Sequence, residues 1–164
     1  MAHILIATLG DSPVVVTAMY KLLTEQEGIQ IDKVVVLHPS GGLIPLGFDL
    51  IEEALNNKCE VQAALLDFED ANSEEECYKF LQRLYSLLAE TQKNGDMVYL
   101  SLAGGRKNMS AITGLLVPLF PNVKSLYHIL DKHESSERKH TFKSYEELVN
   151  INKEDREPYF FPDR

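Results

Sequence analysis

Two short loops carry residues that suit the binding of a phosphate group. Gly104-Gly105-Arg106-Lys107 places two glycines and two cations between a run typical of a strand and a run typical of a helix. Thr8-Leu-Gly-Asp-Ser-Pro13 has the same kind of position earlier in the chain. Backbone N–H groups and the helix dipole favour an anion at a helix N-terminus, and glycine lets a ligand approach the backbone closely. The two loops therefore predict a site for a phosphorylated ligand.

Each loop also has a purely structural interpretation. Ser12 followed by Pro13 is a common helix start, with serine as the N-cap and proline at the first helical position. Glycine pairs make tight turns. Two adjacent cations at a helix N-terminus oppose the helix dipole, however. Arg106 and Lys107 are therefore the stronger indication of function.

Familiar nucleotide-binding and metal-binding motifs are missing from the sequence. The first loop lacks the three glycines of the dinucleotide fingerprint, and no Lys-Ser/Thr pair follows the glycines of the second, which disfavours ATP hydrolysis and nicotinamide chemistry. None of the five histidines is paired with a cysteine at metal-ligand spacing, so we predict no metal and no cofactor. His38, at a predicted strand end, is the one histidine expected near the site. Glu137-Arg138-Lys139, with Asp131 upstream, has a spacing seen in metal-dependent nucleases, which we interpret as chance in a charged segment.

The two loops are expected to join alternating strands and helices. Apolar patterning predicts strands over 3–8, 33–38, 60–67, 97–102 and 123–130, and helices over 13–27, 48–57, 73–92 and 108–119. Ser73 and Glu76 form a predicted capping box. This alternation predicts an α/β fold, a doubly wound, mostly parallel sheet with helices on both faces (Rossmann-like) and strand order 3-2-1-4-5. In that order the two loops face each other at the switch point, where such folds bind ligands.

Length and composition predict one globular domain with a distinct end. The chain has 164 residues, 45% of them hydrophobic, which allows a substantial core. We expect a Rossmann-like core over 1–130 and a charged, irregular C-terminal appendage over 131–164. The appendage is expected to fold back through its aromatic end at 158–162, with a mobile loop at 131–140.

Charge and cysteine content narrow the possible partners. The formal net charge of -9 argues against loose binding to long nucleic acids, although a local basic pocket remains compatible with it. Cys59 and Cys77 are too few for a disulfide framework and fit a reducing compartment. The longest apolar stretch, 112–120, is shorter than a membrane span and contains Pro118. We therefore expect a soluble, cytoplasmic protein with no membrane partner.

At these loops the sequence resembles the CRISPR-associated Rossmann-fold family, known as CARF. The resemblance rests on Ala7-Thr-Leu-Gly-Asp-Ser-Pro, on Val15-Val16-Thr17, and on Ser101-Leu-Ala-Gly-Gly-Arg-Lys-Asn-Met. The terminal Glu157-Pro-Tyr-Phe-Phe-Pro is similar to the end of a small, ring-nuclease-like subgroup. The resemblance covers essentially the whole chain.

The resemblance implies a homodimer that binds cyclic oligoadenylates, the second messengers of type III CRISPR defence, with cyclic tetra-adenylate as the usual ligand of this subgroup. It implies catalytic roles for Ser12, Arg106 and Lys107. The ligand-binding positions that it implies are Thr8, Gly10, Asp11, Ser12, Ala103, Gly104, Gly105, Arg106 and Lys107. Asp11 departs from the pattern, because relatives often carry a neutral residue or Glu there.

Three functions are compatible with the sequence. The first is a ring nuclease that cleaves the messenger without metal, using the ligand's own ribose 2′-OH as nucleophile. The second is a sensor that binds cyclic tetra-adenylate and relays the signal to an effector domain. The third is binding of another phosphorylated metabolite. The sequence shows no second domain and no Arg-x4–6-His ribonuclease motif, which favours the enzyme unless the chain is an excised sensor.

Overall fold

The computed structural model describes residues 1–129 and 145–162. Within these ranges, five parallel strands form one sheet in the order β3-β2-β1-β4-β5. The strands are β1 (His3–Thr8), β2 (Lys33–His38), β3 (Glu60–Leu65), β4 (Met97–Ser101) and β5 (Val123–Tyr127). The predicted fold class and strand order are confirmed. The segment 131–140, including Asp131 and Glu137-Arg138-Lys139, lies outside the described residues.

The central strand β1 brings the two glycine loops together. Leu5 pairs with Val34 of β2 on one side and with Tyr99 of β4 on the other. The chain leaves β1 and β4 at the same edge of the sheet, because both strands run in the same direction. The switch point therefore lies between these two strands, as predicted.

The described ranges contain six α-helices, and three of the four predicted helices begin within one residue of their predicted start. The six helices are α1 (Val14–Lys21), α2 (Ile44–Leu55), α3 (Glu74–Asn94), α4 (Lys107–Leu116), α5 (Tyr145–Val149) and α6 (Lys153–Phe160). A π-helical turn, Leu22–Gln26, continues α1, and a 3₁₀ turn, Val117–Leu119, continues α4. The prediction that α2 begins at Phe48 was wrong. Pro45 lies in the first turn of this helix, where its missing N–H group has no helical partner to lose.

Local rules explain both ends of the long helix α3. The Ser73 hydroxyl accepts a hydrogen bond from the Glu76 N–H, and the Glu76 carboxylate accepts one from the Ser73 N–H. This is the predicted capping box. Gly95 follows the helix with a φ of 74°, a left-handed conformation that glycine adopts without a steric penalty. The negatively charged first turn of α3 also suits the helix dipole.

Two apolar layers cover the two faces of the sheet. Strands β1 and β2 are buried from their second residue onward, as expected for strands covered on both sides. One layer packs residues of α3 and α4 against the sheet around Leu100. The other packs α1 and α2 against the opposite face around Leu5. The helices that follow β1 and β4 are thereby fixed on opposite faces of the sheet, on either side of the switch point.

The C-terminal segment is helical where irregular structure was expected. Helix α6 packs against α1 and α2, and Phe160 is buried in a cluster with Leu50. Lys21 Nζ donates a hydrogen bond to the Phe161 carbonyl at 3.2 Å, and Lys58 Nζ lies 5.1 Å from the centre of the Phe161 ring. The division into a core and an appendage stays a prediction. No helix in the described ranges has both the length and the apolarity needed to cross a membrane.

Candidate functional site

The two predicted loops touch each other at the edge of the sheet. A Cβ atom added to Gly10 would lie 2.9 Å from the Gly105 nitrogen, and one added to Gly104 would lie 2.0 Å from the Thr8 carbonyl oxygen. Backbone packing between the loops therefore requires glycine at both positions. From the sequence we interpreted these glycines as allowing a ligand to approach the backbone. The structure shows instead that they allow the two loops to approach each other.

Thr8 stabilises the contact between the two loops through its side chain. Its side chain is 4% exposed, and its hydroxyl donates a hydrogen bond to the Gly104 carbonyl oxygen. The hydroxyl is thereby committed to the neighbouring loop. Gly105 has a φ of 82°, and it is exposed at the surface of the turn. Thr8 fixes the position of the loop, and Gly105 gives it the sharp turn into α4.

A cavity of about 500 Å³ opens beside these loops. Loops that follow four successive strands, β1 to β4, contribute its walls. Gly10, Asp11, Gly105 and Arg106 line it, whereas the other predicted residues, which are Thr8, Ser12, Ala103, Gly104 and Lys107, are not among its lining residues in the described part of the chain. The acidic residues Asp11, Glu69 and Asp70 are among the lining residues. The cavity is therefore more acidic than the two glycine loops suggested.

Arg106 lines the cavity, and its guanidinium is paired with the Asp70 carboxylate. Its Nε donates to Asp70 Oδ1 at 2.8 Å, and its Nη2 donates to Asp70 Oδ2. The hydrogen bond from Arg106 lowers the pKa of Asp70 below its ordinary value, and the same pair raises the pKa of Arg106. Both groups are therefore charged at neutral pH.

The Arg106–Asp70 pair offsets the unfavourable interaction between a cation and the helix dipole at the start of α4. Arg106 is the N-cap residue of the helix, and its side chain makes no capping hydrogen bond within the described residues. A cation there opposes the helix dipole, but Asp70 brings a negative charge to the same helix end. Pairing with Asp70 thus offsets a sequence choice that looked unfavourable on its own. Asp70 could not be predicted as the partner, because it lies in a loop 36 residues away.

Lys107 and Ser12 differ from Arg106, because neither side-chain head group has a hydrogen-bond or ion-pair partner among the described residues. Lys107 is the first residue of α4 and is exposed, and it makes no ion pair with any described residue. Ser12 is half-buried, and its hydroxyl has no hydrogen-bond partner in the described ranges. The purely structural interpretation of Ser12 as the N-cap of α1 does not fit the structure: the N-cap is Pro13, and no side-chain hydrogen bond from the described residues caps this helix.

The loop between β3 and α3 was missed by the sequence analysis, and it completes the cavity. A Cβ atom on Gly41 would lie 2.2 Å from the Glu69 carbonyl oxygen. The Ser40 N–H and hydroxyl both donate to the Phe68 carbonyl oxygen, at 2.9 and 3.1 Å. The loop is therefore held firmly against the loop after β2. The pair Gly41-Gly42 was the available sequence signal, since glycines at a strand end often mark close backbone contact.

Asn108 ties the same loop to α4. Its Nδ2 donates to the Ala71 carbonyl oxygen at 2.8 Å and to Cys77 Sγ at 3.0 Å. Its Oδ1 accepts from the Met109 N–H at 2.9 Å. Together with the pair between Arg106 and Asp70, these bonds fix the start of α4 against the loop after β3.

His38 lies close to this edge but outside the cavity lining. It ends β2, is 3% exposed, and stacks on Phe48 of α2 with ring centres 5.2 Å apart. Its Nδ1 lies 3.0 Å from the Pro39 carbonyl oxygen. The interpretation of His38 as a strand-end residue fits this packing. The described residues contain no cluster of three or more His, Cys, Asp or Glu side chains placed to bind a metal ion.

The fold and site define a class: a doubly wound α/β domain with a ligand-sized cavity at its switch point. The chain belongs to the family of CRISPR-associated protein NE0113, whose family model matches residues 12–162. The CRISPR-associated resemblance inferred from the two loops is thereby confirmed. No curated protein matches the chain at a significant level.

Solved structures share the fold at low sequence identity. Enterococcus italicus Csm6 bound to cyclic hexa-2′-fluoro-hexa-dAMP is 16% identical, with a TM-score of 0.59 over 80% of this chain and 34% of that one. Protein VC1899 from Vibrio cholerae is 11% identical, with a TM-score of 0.59 over 78% of this chain and 30% of that one. This chain thus spans only part of the length of either protein. The similarity to Csm6 supports the doubly wound fold that the sequence predicted.

Proposed function

We propose that this protein binds a cyclic oligoadenylate of type III CRISPR defence, cyclic tetra-adenylate in particular, and cleaves it slowly without a metal ion. The observation that carries the proposal is the cavity at the switch point, with Arg106 in its lining and the exposed Lys107 at the start of α4. Guanidinium and ammonium groups beside a helix N-terminus suit the phosphodiesters of such a ligand.

The family and the fold support the same ligand class. The chain belongs to a CRISPR-associated family, and a structure with a similar fold, that of Csm6, contains a cyclic oligoadenylate analogue. A ligand made of nucleotides needs both apolar contacts for its bases and charges for its phosphates. The cavity offers both, since Leu43, Ile44 and Met109 lie in the same lining as Arg106.

The proposed reaction is an intramolecular transesterification. A ribose 2′-oxygen attacks the adjacent phosphorus, the bond from phosphorus to the 5′-oxygen breaks, and the proton lost from the 2′-OH is balanced by one gained on the leaving oxygen. The products are linear oligoadenylates with a 2′,3′-cyclic phosphate at one end and a 5′-OH at the other. Lys107 and Arg106 stabilise the charge on the phosphorane, and Ser12 aligns the 2′-OH or holds a phosphate oxygen.

Two features favour slow turnover. The described lining residues of the cavity include no histidine, so a general base with a pKa near neutrality is not among them. Asp11 and Glu69 also add negative charge to the lining, and they raise the electrostatic cost of bringing in a phosphate. Slow cleavage suits a protein that limits how long a second messenger persists.

A homodimer is part of the proposal. Leu115 of α4 is 74% exposed and Leu119 is 62% exposed, and Leu126 of the edge strand β5 is 39% exposed. Exposed apolar side chains on and after α4 and on the edge strand β5 favour an isologous contact with a second copy. Because α4 begins at the candidate site, contact along this helix would bring the two sites towards a common two-fold axis, where a symmetric cyclic ligand can meet both.

The alternative is a sensor that binds without cutting and passes the signal to an effector. It is favoured by the limited share of longer proteins that this chain spans, 34% of Csm6 and 30% of VC1899. A domain of this kind can be one part of a larger protein. The same cavity would then hold the ligand, and its binding free energy would bias an effector instead of driving cleavage.

One experiment separates these functions. The protein is incubated with radiolabelled cyclic tetra-adenylate in EDTA, the products are separated, and binding is measured in parallel by calorimetry. Linear products with cyclic phosphate ends support the ring nuclease, and binding without products supports the sensor. A folded protein that neither binds nor cuts cyclic tetra-adenylate contradicts both functions. A Lys107→Ala, Arg106→Ala double variant serves as the matched control.

A further inference from the structure

Asp70 reaches the candidate site from a strand that is not next to it. The loop after β3 starts at the outer edge of the sheet, and β2 and β1 lie between β3 and β4. Asp70 nevertheless contacts Arg106, the N-cap residue of the helix that follows β4. Both residues line the cavity, so the contact joins the loops after β3 and β4 within its lining.

The geometry of the pair leaves much of the guanidinium available. Asp70 uses Nε and Nη2, which form one edge of the group. A guanidinium carries five N–H donors, so three of them remain for another acceptor. The Arg106 side chain is 60% exposed, whereas that of Asp70 is 31% exposed. A phosphate oxygen can therefore contact Arg106 without displacing Asp70.

Asp70 is itself held in place. Its Oδ1 accepts a hydrogen bond from the Ala71 N–H at 2.8 Å, and the Ala71 carbonyl oxygen accepts one from Asn108 Nδ2 at 2.8 Å. The preceding Glu69 packs closely against Gly41, as described above. The carboxylate is thus attached to a loop anchored on both sides, whereas an arginine side chain alone has many rotamers. An anchored partner reduces the freedom that Arg106 must lose on binding a ligand.

We propose that Asp70 is a positioning residue, which holds the Arg106 guanidinium in the orientation that contacts a ligand phosphate. The inference rests on the proposed function and assigns a role to a residue outside the two glycine loops. The opposite role is competition, in which Asp70 occupies Arg106 and must be displaced by the ligand. The two roles predict opposite effects of removing the charge on Asp70.

The test compares binding by Asp70→Asn with that by the wild-type protein. The probe is the 2′-fluoro analogue of cyclic tetra-adenylate, which lacks the attacking hydroxyl and is not cleaved. Simple electrostatics predicts tighter binding, since the substitution removes a negative charge from the cavity. We expect the reverse, a loss of roughly tenfold in affinity, because the guanidinium loses its fixed orientation. Binding by Asp70→Asn that equals or exceeds that of the wild-type protein would overturn the inference.

Further variants exclude a merely structural role. Asp67→Asn removes a charge from the same loop, where Asp67 pairs with Lys79 at 3.5 Å, and we expect it to leave affinity within about twofold. In an Arg106→Lys background, Asp70→Asn is expected to cause no further loss, because lysine cannot form the two-pronged contact. Asp70→Glu, which keeps the carboxylate, is expected to restore part of the affinity. An equal loss in the Arg106→Lys background would contradict the positioning role.

Failure of this inference can be told apart from failure of the proposed function. If the folded wild-type protein does not bind the analogue, both are wrong. If it binds and Asp70→Asn binds as well or better, only the role of Asp70 is wrong. Melting temperatures of all variants show whether a loss of affinity reflects a loss of fold.

Discussion

At the scale of single residues, Lys107 and Arg106 are neighbours in sequence with different surroundings. Arg106 is paired with Asp70, whereas Lys107 is exposed and forms no ion pair with any described residue. An ammonium group that is not neutralised by a carboxylate can direct its full charge at a phosphorane. A paired guanidinium is better suited to hold a ligand in one place. We therefore expect charge stabilisation in the proposed transition state to depend mainly on Lys107.

We expect Lys107→Ala to lower the single-turnover cleavage rate of cyclic tetra-adenylate by about 10²–10³-fold, the usual cost of removing one preorganised charge stabiliser. Binding should weaken less, because the charge matters most when the phosphorane forms. The control is Lys93→Ala. Lys93 lies in the last turn of α3, just before β4 begins, and therefore at the end of the sheet away from the candidate site. Unchanged cleavage in Lys107→Ala would remove Lys107 from the catalytic role.

Ser12 offers a second residue-scale test, since its hydroxyl makes no capping hydrogen bond to the described residues. We expect Ser12→Ala to change the free energy of unfolding by no more than about 0.5 kcal/mol and to slow cleavage beyond any loss of binding. Ser73→Ala is the matched control, because Ser73 does cap a helix, and its loss should cost about 1 kcal/mol.

Ser12→Asp adds a charge next to Asp11 and should weaken binding while the fold is kept. The measurements are a melting temperature and a single-turnover rate for each variant. A stable Ser12→Asp protein that binds and cuts normally would show that Ser12 has no functional role.

At the scale of elements, local sequence rules succeeded where the determining contacts are local. The bounds of β1 and β2 and the capping box of α3 were predicted, because apolar patterning and capping depend on near neighbours. The start of α2 was missed, because a loop rich in glycine and proline hid a helix that begins at Ile44. The pairing of Arg106 with Asp70 was beyond local rules, since it depends on how one loop crosses the sheet edge.

The packing of the two glycine loops leads to a prediction with an internal control. Gly104→Ala would place a methyl group 2.0 Å from the Thr8 carbonyl oxygen, so the loops must separate. We expect a loss of about 1–3 kcal/mol in the free energy of unfolding, together with loss of ligand binding.

The control is Gly114→Ala in the body of α4, where an added Cβ meets no atom of the described residues within 4 Å. This change should stabilise the protein by roughly 0.5–1 kcal/mol, because alanine favours the helix over glycine. Chemical denaturation measures both variants. Equal stability of Gly104→Ala and the wild-type protein would contradict the close packing of these loops.

At the scale of the whole molecule, the net charge did not predict the charges in the cavity, whereas the order of elements did predict the sheet topology. The net charge of -9 describes the surface as a whole and predicts no loose binding to long nucleic acids. It did not foresee that Glu69 and Asp70 would line the cavity. The alternation of elements predicted the sheet order, because right-handed crossovers leave few arrangements. Which loops meet over the sheet edge depends on their paths in three dimensions, and alternation does not specify those paths.

The proposed dimer makes a prediction at this scale. We expect two chains to bind one cyclic tetra-adenylate, and Leu115→Asp to give a monomer that binds weakly, because it places a charge on the apolar surface near β5. Leu65→Asp, on the opposite edge strand β3, is the control for exposed leucine. Sedimentation and calorimetry check both expectations. One ligand per chain, or a monomeric wild-type protein in the presence of ligand, would be inconsistent with a shared site.

The hydrogen bond between Thr8 and Gly104 joins residues 96 positions apart, and this separation has a consequence for synthesis. A ribosome adds about 5–20 residues per second, so β1 leaves the exit tunnel several seconds before its partner loop exists. Contacts of such long range close late and slow the search for the native state. The cavity walls from the loops after β1, β2 and β3 are therefore synthesised well before the loop after β4, which supplies Gly105 and Arg106. We expect the complete cavity only after β4 has paired with β1.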